Sequence, residues 1–168
     1  LEENEKLFNS SINEGKKKLA DAEQELIKAE EEYEKGLRIF NENKALANEG
    51  FKKAEEEIKQ GEEAIALLEA SISQISSALD NPLLPIGERE RLTIELQSTK
   101  AILEKTIESV ESGKRELEAK KLELARAEEE LSYNKKLLET SREKLEAEKA
   151  NLINKEREGR LEIEKARK

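Results

Sequence analysis

The residue types that carry out most protein chemistry are scarce in this chain. It has no His and no Cys, so the commonest general base, the commonest metal ligand and the thiolate nucleophile are all missing. Hydroxyl groups such as those of Ser71, Ser76 and Thr99 therefore have no imidazole to activate them. No glycine-rich phosphate-binding loop occurs. The sequence predicts no catalytic site, no metal site and no cofactor, and we expect the protein not to be an enzyme.

Carboxylates are the one abundant reactive group, with 40 Asp and Glu residues in the chain. Runs such as residues 30–32 and 128–130 turn around the surface of a helix and have basic residues about one turn away. This pattern is typical of a solvated helix face with ion pairs between neighbouring turns, and not of an acid–base or metal site.

The composition excludes several classes of protein. Charged residues make up 42% of the chain and aromatic residues 3%, which is too few bulky side chains for a globular core of this length. Disorder is the competing interpretation, but a disordered chain shows no regular hydrophobic period. The net charge of −9, with Lys and Arg interleaved among Glu, argues against nucleic acid or an anionic membrane surface as the partner. No run approaches the roughly 20 apolar residues of a membrane helix.

The first half of the chain carries a seven-residue repeat with two core positions per heptad. The repeat runs through Ile12, Gly15, Leu19, Ala22, Leu26, Ala29, Tyr33, Gly36, Phe40, Asn43 and Ala47, then resumes as Phe51, Ala54, Ile58, Gly61, Ile65, Leu68, Ile72, Ile75 and Leu79. The step from Phe40 to Phe51 is eleven residues, a phase slip that locally unwinds a supercoil. We predict a flexible joint at residues 43–50.

The second half carries a longer and stricter repeat. One core position is Leu96, Leu103, Val110, Leu117, Leu124, Leu131, Leu138, Leu145 and Leu152, and the other is Thr99, Thr106, Gly113, Lys120, Ala127, Asn134, Ser141 and Glu148. This repeat extends well beyond the three or four heptads that indicate a coiled coil. Small residues at one position let the helices approach closely, and we predict the pairs Ile58–Gly113 and Gly61–Val110. Glycines inside the helices predict only moderate stability.

Two prolines, an Asn and a Gly cluster only at residues 80–87, where helix cannot continue. The sequence therefore predicts an all-α fold, a long antiparallel two-helix coiled-coil hairpin. Its parts are a first arm at 1–80, a tip turn at 81–87 and a second arm at 88–168, with paired residue numbers summing to about 171. At 1.5 Å per residue each arm extends roughly 120 Å, and both chain ends meet at the base. One continuous helix in a parallel dimer is the alternative, which the prolines disfavour.

The tip contains the candidate partner-binding residues. Leu83, Leu84 and Ile86 are apolar, lie beside the prolines and fall outside the heptad repeat, so they predict an exposed contact patch, with Arg89 as a polar neighbour. The alternative is that these side chains fold back over the last layer of the coiled coil and only close the hairpin. Arg89 then belongs to an ordinary first turn of the second helix.

Certain repeat units resemble a known family. They are Gly15 followed by Leu19, Asp21 and Ala22 followed by Glu25 and Leu26, Gly113 followed by Leu117, and Gly159 followed by Ile163. They resemble the extracytoplasmic coiled coil of FtsX-like (MacB-like) ABC transporter permeases of Gram-positive bacteria. The resemblance implies a membrane-embedded parent with a separate ATPase subunit and a hairpin on the extracytoplasmic face of the cell membrane. It further implies that the hairpin transmits motion or docks a protein partner or transported substrate.

Two other classes of parent protein remain open. One is a periplasmic adaptor, whose hairpin has similar arms, although the tip spacing expected of it is not found around Arg89 and Ser98. The other is a coiled-coil spacer arm of a cytoplasmic chromosome-organising or cytoskeletal ATPase. The sequence flanking the hairpin distinguishes the three classes.

Overall fold

A computed structural model describes all residues from 1 to 168, and it contains two α-helices. Helix α1 spans Glu2–Leu79 and helix α2 spans Ile86–Arg167. The start of α1 packs on the end of α2, as in the contact of Phe8 with Gly159. The predicted all-α helical hairpin is confirmed. Helix α2 begins two residues before the predicted second arm, because Pro85 has no N–H to leave unpaired and its carbonyl accepts the first helical bond, from Arg89 N at 2.9 Å.

The chain divides into two compact units, and each helix contributes a segment to both. The base unit comprises residues 1–41 and 127–168, and the tip unit comprises residues 42–126. In α1 the division falls between Asn41 and Glu42, inside the predicted phase slip from Phe40 to Phe51. Whether residues 43–50 form a flexible joint stays a prediction.

In the tip unit, glycines on both helices receive side chains from the opposite helix. Gly61 lies against Val110, and a Cβ at Gly113 would lie 3.7 Å from Cγ1 of Ile58. Both predicted pairs are confirmed, and their residue numbers sum to 171 as expected. Beside this row, Lys114 pairs with Glu62 and Lys121 with Glu55, each at 2.6 Å.

In the base unit the helices pair in a different register. Gly15 lies against Leu152 and Gly159 against Phe8, so these residue numbers sum to 167 instead of 171. From Gly61 to Gly15, α1 uses 46 residues, whereas α2 uses 42 from Val110 to Leu152. The difference of four residues equals the excess of the eleven-residue step over a heptad. The phase slip in α1 and the unbroken heptad in α2 are therefore both seen in the contacts.

The two core rows predicted for α2 differ in burial: the first row is confirmed, and the second is wrong at four positions. Every residue of the Leu and Val row is buried or half-buried. In the second row, Thr99, Thr106, Gly113 and Ala127 are half-buried, but Lys120, Asn134, Ser141 and Glu148 are exposed. The first-arm positions Ala22 and Asn43 are also exposed. In the base unit three long polar side chains of α2 are half-buried instead: Arg142 and Lys149, each one residue beyond an exposed position of the second row, and Glu156, seven residues after Lys149.

These three residues belong to what we call the ion-pair row: Lys16, Glu23 and Glu30 of α1 with Glu156, Lys149 and Arg142 of α2. The nearest N–O distances are 2.8 Å for Lys16–Glu156, 2.6 Å for Glu23–Lys149 and 2.7 Å for Glu30–Arg142. The long aliphatic stems of Arg142 and Lys149 cover the interface between the helices, while their charged ends reach carboxylates at its edge. This explains why they are half-buried in place of the shorter Ser141.

The row is a connected network. Arg142 donates from Nε and Nη2 to the two carboxylate oxygens of Glu30, at 3.1 and 2.7 Å, and its Nη1 lies 3.5 Å from Glu23. The hydrogen bond from Lys149 lowers the pKa of Glu23, that from Arg142 lowers the pKa of Glu30, and that from Lys16 lowers the pKa of Glu156. The same contacts raise the pKa of Arg142 and Lys149. The fold therefore favours the charged forms of the three carboxyl groups and of Arg142 and Lys149.

The glycines of α1 give a test of the packing. Gly61→Ala is expected to lower the free energy of unfolding by about 1 kcal/mol, because its Cβ would overlap Val110, whose branched side chain cannot turn away at low cost. Gly36→Ala is expected to raise it by about 0.5–1 kcal/mol, because no atom lies within 4 Å of that Cβ position and Ala favours helix. Urea denaturation followed by circular dichroism measures both. A stabilising Gly61→Ala would contradict the observed pairing.

Candidate functional site

The candidate site is the tip loop, residues 80–85, with the first turn of α2. The carbonyl of Asn81 accepts from Leu84 N at 3.2 Å, closing a four-residue turn with Pro82 in its second position. The Asn81 side chain accepts from Leu83 N at 3.0 Å, as Asn commonly does in turns. Two prolines and two hydrogen bonds to Asn81 thus fix the path of the loop.

Arg89 ties this loop to both helices. Its Nη1 donates to the carbonyl of Leu79 at 2.9 Å, and its Nη2 donates to the carbonyl of Asn81 at 2.8 Å. The last turn of α1 has no basic residue of its own, so this guanidinium supplies the positive charge that the end of a helix favours. Of the predicted site residues, Arg89 therefore has an intramolecular role in holding the loop, and its contact with a partner stays a prediction.

The three apolar residues of the predicted site differ in exposure. Leu83, at the third position of the turn, is 87% exposed and Ile86, the first residue of α2, is 77% exposed. Leu84 is half-buried. The burial of Leu84 fits the interpretation that it closes the hairpin, whereas Leu83 and Ile86 present apolar surface to solvent. The loop therefore combines a closing residue with two residues available for contact.

Sequence reasoning missed the part that Asn81 plays. Its carbonyl accepts from both Leu84 and Arg89, and its side chain accepts from Leu83, so this residue accepts three hydrogen bonds. The Asn-Pro dipeptide at 81–82 was the available signal, since it favours the start of a turn.

The surroundings of the loop offer no other obvious chemistry. No group of three or more Asp and Glu residues is arranged to hold a metal ion anywhere in the chain. Neither helix has a stretch long and apolar enough to cross a membrane. What the tip loop offers is apolar contact on a backbone that is already ordered, so little conformational entropy remains to be lost on binding.

No protein-family model, curated protein or solved structure matches this chain.

Proposed function

We propose that this chain is a non-catalytic coiled-coil projection of a larger protein, and that its tip loop docks a protein partner. One observation carries the proposal: Leu83 and Ile86 are 87% and 77% exposed on a loop that Asn81, Arg89 and two prolines hold in place. Exposed apolar side chains on an ordered loop are suited to burial against another protein.

The base unit suits attachment to a parent protein. In the base unit, Arg167 near the end of α2 pairs with Glu5 near the start of α1 at 2.6 Å, so the two chain ends lie side by side. A hairpin of this kind fits into one loop of a larger chain. The resemblance to FtsX-like permeases supports an ABC transporter permease as the parent, with the hairpin on the extracytoplasmic face of the membrane and the ATPase in a separate subunit. In that setting the hairpin transmits motion to the docked partner or to a transported substrate.

The docking proposal is tested by charging the exposed residues. Leu83→Asp with Ile86→Asp in the full-length parent is expected to weaken partner binding at least tenfold, since burying each apolar side chain contributes about 1.5–3 kcal/mol. Helicity and melting temperature should stay unchanged, because neither residue is buried and an acidic residue in the first turn of α2 is favourable. The measurement is restoration of the parent's cellular activity, and a separate variant with a photoreactive residue at position 83 is used for cross-linking to the partner.

Ile94→Asp with Ile102→Asp is the matched control. These residues are likewise exposed and apolar, and they lie on α2 beyond its first turn and outside the tip loop. The control should retain activity and cross-linking. Full activity of the Leu83 and Ile86 variant would eliminate the tip as the docking site. Leu84→Asp is a separate reference, since this half-buried residue should lower the melting temperature.

The class of parent protein is tested by the sequence on either side of the hairpin. Membrane helices on both sides support the permease. Lipoyl-like strands would support the periplasmic adaptor, and nucleotide-binding halves would support the cytoplasmic ATPase.

A further inference from the structure

The apolar row of the base unit does not by itself determine how α1 and α2 are aligned. Leu138, Leu145 and Leu152 repeat every seven residues. If α1 slides along α2 by one heptad, each α1 residue that faced one leucine of this row therefore faces the next leucine of the row. In the observed alignment, α1 has four more residues than α2 between the Gly61–Val110 contact and the Gly15–Leu152 contact. After a slide of one heptad, α2 would have three more residues than α1 between the corresponding contacts. Insertions of four and of three residues are the two interruptions that coiled coils accommodate.

Glycine packing distinguishes the two alignments. As observed, Phe8 lies against Gly159 and Gly15 lies against Leu152, so each helix provides one glycine and one large side chain. The slide that brings Gly15 opposite Gly159 would face one glycine with the other and leave a cavity. Cavities in an apolar interface destabilise it in proportion to their volume.

The order of charges in the ion-pair row distinguishes the alignments as well. Along α1 the row reads Lys16, Glu23, Glu30, and the partners on α2 are Glu156, Lys149 and Arg142. The same slide would bring Glu23 opposite Glu156 and Lys16 opposite Ile163. It would exchange an attractive pair for a repulsive one, a device that specifies pairing in other coiled coils.

We propose that the helices of the base unit can pair in two alignments, and that two features select the observed one. The first is the Lys16–Glu156 pair, in which the basic residue is on α1 although α1 provides the acidic residue in the other two pairs. The second is the pair of glycine contacts, one from each helix. The alternative alignment shifts α1 along α2 by seven residues within the base unit, a distance of roughly 10 Å. Such an element would let a displacement of the chain ends change the pairing of the helices in the base unit.

The test is a variant that reverses both preferences, Glu156→Lys with Gly159→Leu. In the observed alignment the introduced ammonium group would face Lys16, and the introduced leucine side chain would overlap Phe8. In the alternative alignment the same ammonium group would pair with Glu23, and the same leucine side chain would pack on Gly15. Adding Phe8→Gly and Lys16→Glu to this variant is the matched control, because it restores attraction and space in the observed alignment.

Cysteine pairs report the alignment, since the chain has no cysteine of its own. The pair Ala29→Cys with Leu138→Cys reports the observed alignment, because its residue numbers sum to 167 like those of the base-unit contacts. The pair Ala29→Cys with Leu145→Cys reports the alternative alignment. Oxidation should join the first pair in the unchanged background, the second in the Glu156→Lys, Gly159→Leu variant, and the first again in the control. Continued joining of the first pair in that variant would overturn the proposal, and so would loss of both disulfides together with helicity.

Discussion

Leu145→Ala is expected to lower the free energy of unfolding by about 2–4 kcal/mol. Leu145 is 5% exposed and is one of only five buried apolar residues, none of which is completely enclosed. The loss combines the transfer of the removed atoms into water with the cavity left between two helices that cannot close around it. Because the interface is thin, few neighbours exist to fill that space.

Leu137→Ala is the control for this prediction. Leu137 precedes Leu138 of the apolar row but is itself 48% exposed, so its truncation should change the free energy of unfolding by less than about 0.5 kcal/mol. Urea denaturation followed by circular dichroism measures both variants at neutral pH. Equal effects of the two truncations would mean that Leu145 is not in the interface.

The fold was predictable from the sequence because its repeat is long and its turn is unique. The Leu and Val row of α2 spans nine heptad positions, and two prolines occur at a single place, so helix, pairing direction and the two glycine contacts of the tip unit all follow. The phase slip was equally visible, as an eleven-residue step. The pairing in the base unit was not predicted. There the numbers of paired residues sum to 167, whereas the prediction applied a sum of about 171 to the whole chain.

The second core row was harder to predict because hydrophobicity is a poor guide to it. The prediction placed Ser141 and Glu148 in the row, and both are exposed. Arg142 and Lys149 take the half-buried positions because their stems are long enough to cover apolar surface while their charges meet Glu23 and Glu30. A scale that counts Arg and Lys only as polar does not register this.

At the tip, too, one part of the structure was predictable from the sequence and another part was not. The proline cluster located the loop, but the different exposures of Leu83 and Leu84 depend on the turn that Asn81 closes. That turn in turn depends on a guanidinium from eight residues further along the chain. Contacts of this kind are specific to the folded loop and leave no periodic trace in the sequence.

Acidification from pH 7 to pH 3 is expected to remove the stabilisation that the ion-pair row gives to the base unit. Glu23, Glu30 and Glu156 have pKa values below their ordinary value of 4.5 in the folded chain, chiefly because of hydrogen bonds from Lys149, Arg142 and Lys16 respectively. The unfolded chain therefore binds protons more readily than the folded one. The stabilisation is complete above the ordinary value and is lost as the pH falls through the lowered folded values.

Further charged groups lie beside the ion-pair row. Glu146 of α2 lies 3.7 Å from Arg142 and 3.6 Å from Lys149, and Arg160 donates to Glu156 at 2.7 Å. Protonation of Glu23, Glu30 and Glu156 removes the carboxylates that face Lys149, Arg142 and Lys16 from the opposite helix. The tip unit is the internal reference, because its half-buried second-row residues Thr99, Thr106 and Gly113 do not ionise. Its own ion pairs between the helices, Lys114–Glu62 and Lys121–Glu55, are about half exposed and are therefore screened more strongly by solvent.

Hydrogen exchange, corrected for the intrinsic effect of pH, measures this difference between the units. Amides of residues 142–156 should lose protection below about pH 5 to a greater extent than amides of residues 103–117. In the variant Glu23→Gln, Glu30→Gln, Glu156→Gln, the extra loss should disappear, because neutral amides keep hydrogen bonding at every pH but do not titrate. The variant should also be less protected than the unchanged chain at pH 7. An extra loss of the same size in both chains would show that other carboxylates cause it, and the ion-pair row would then have no special part in holding the base unit together.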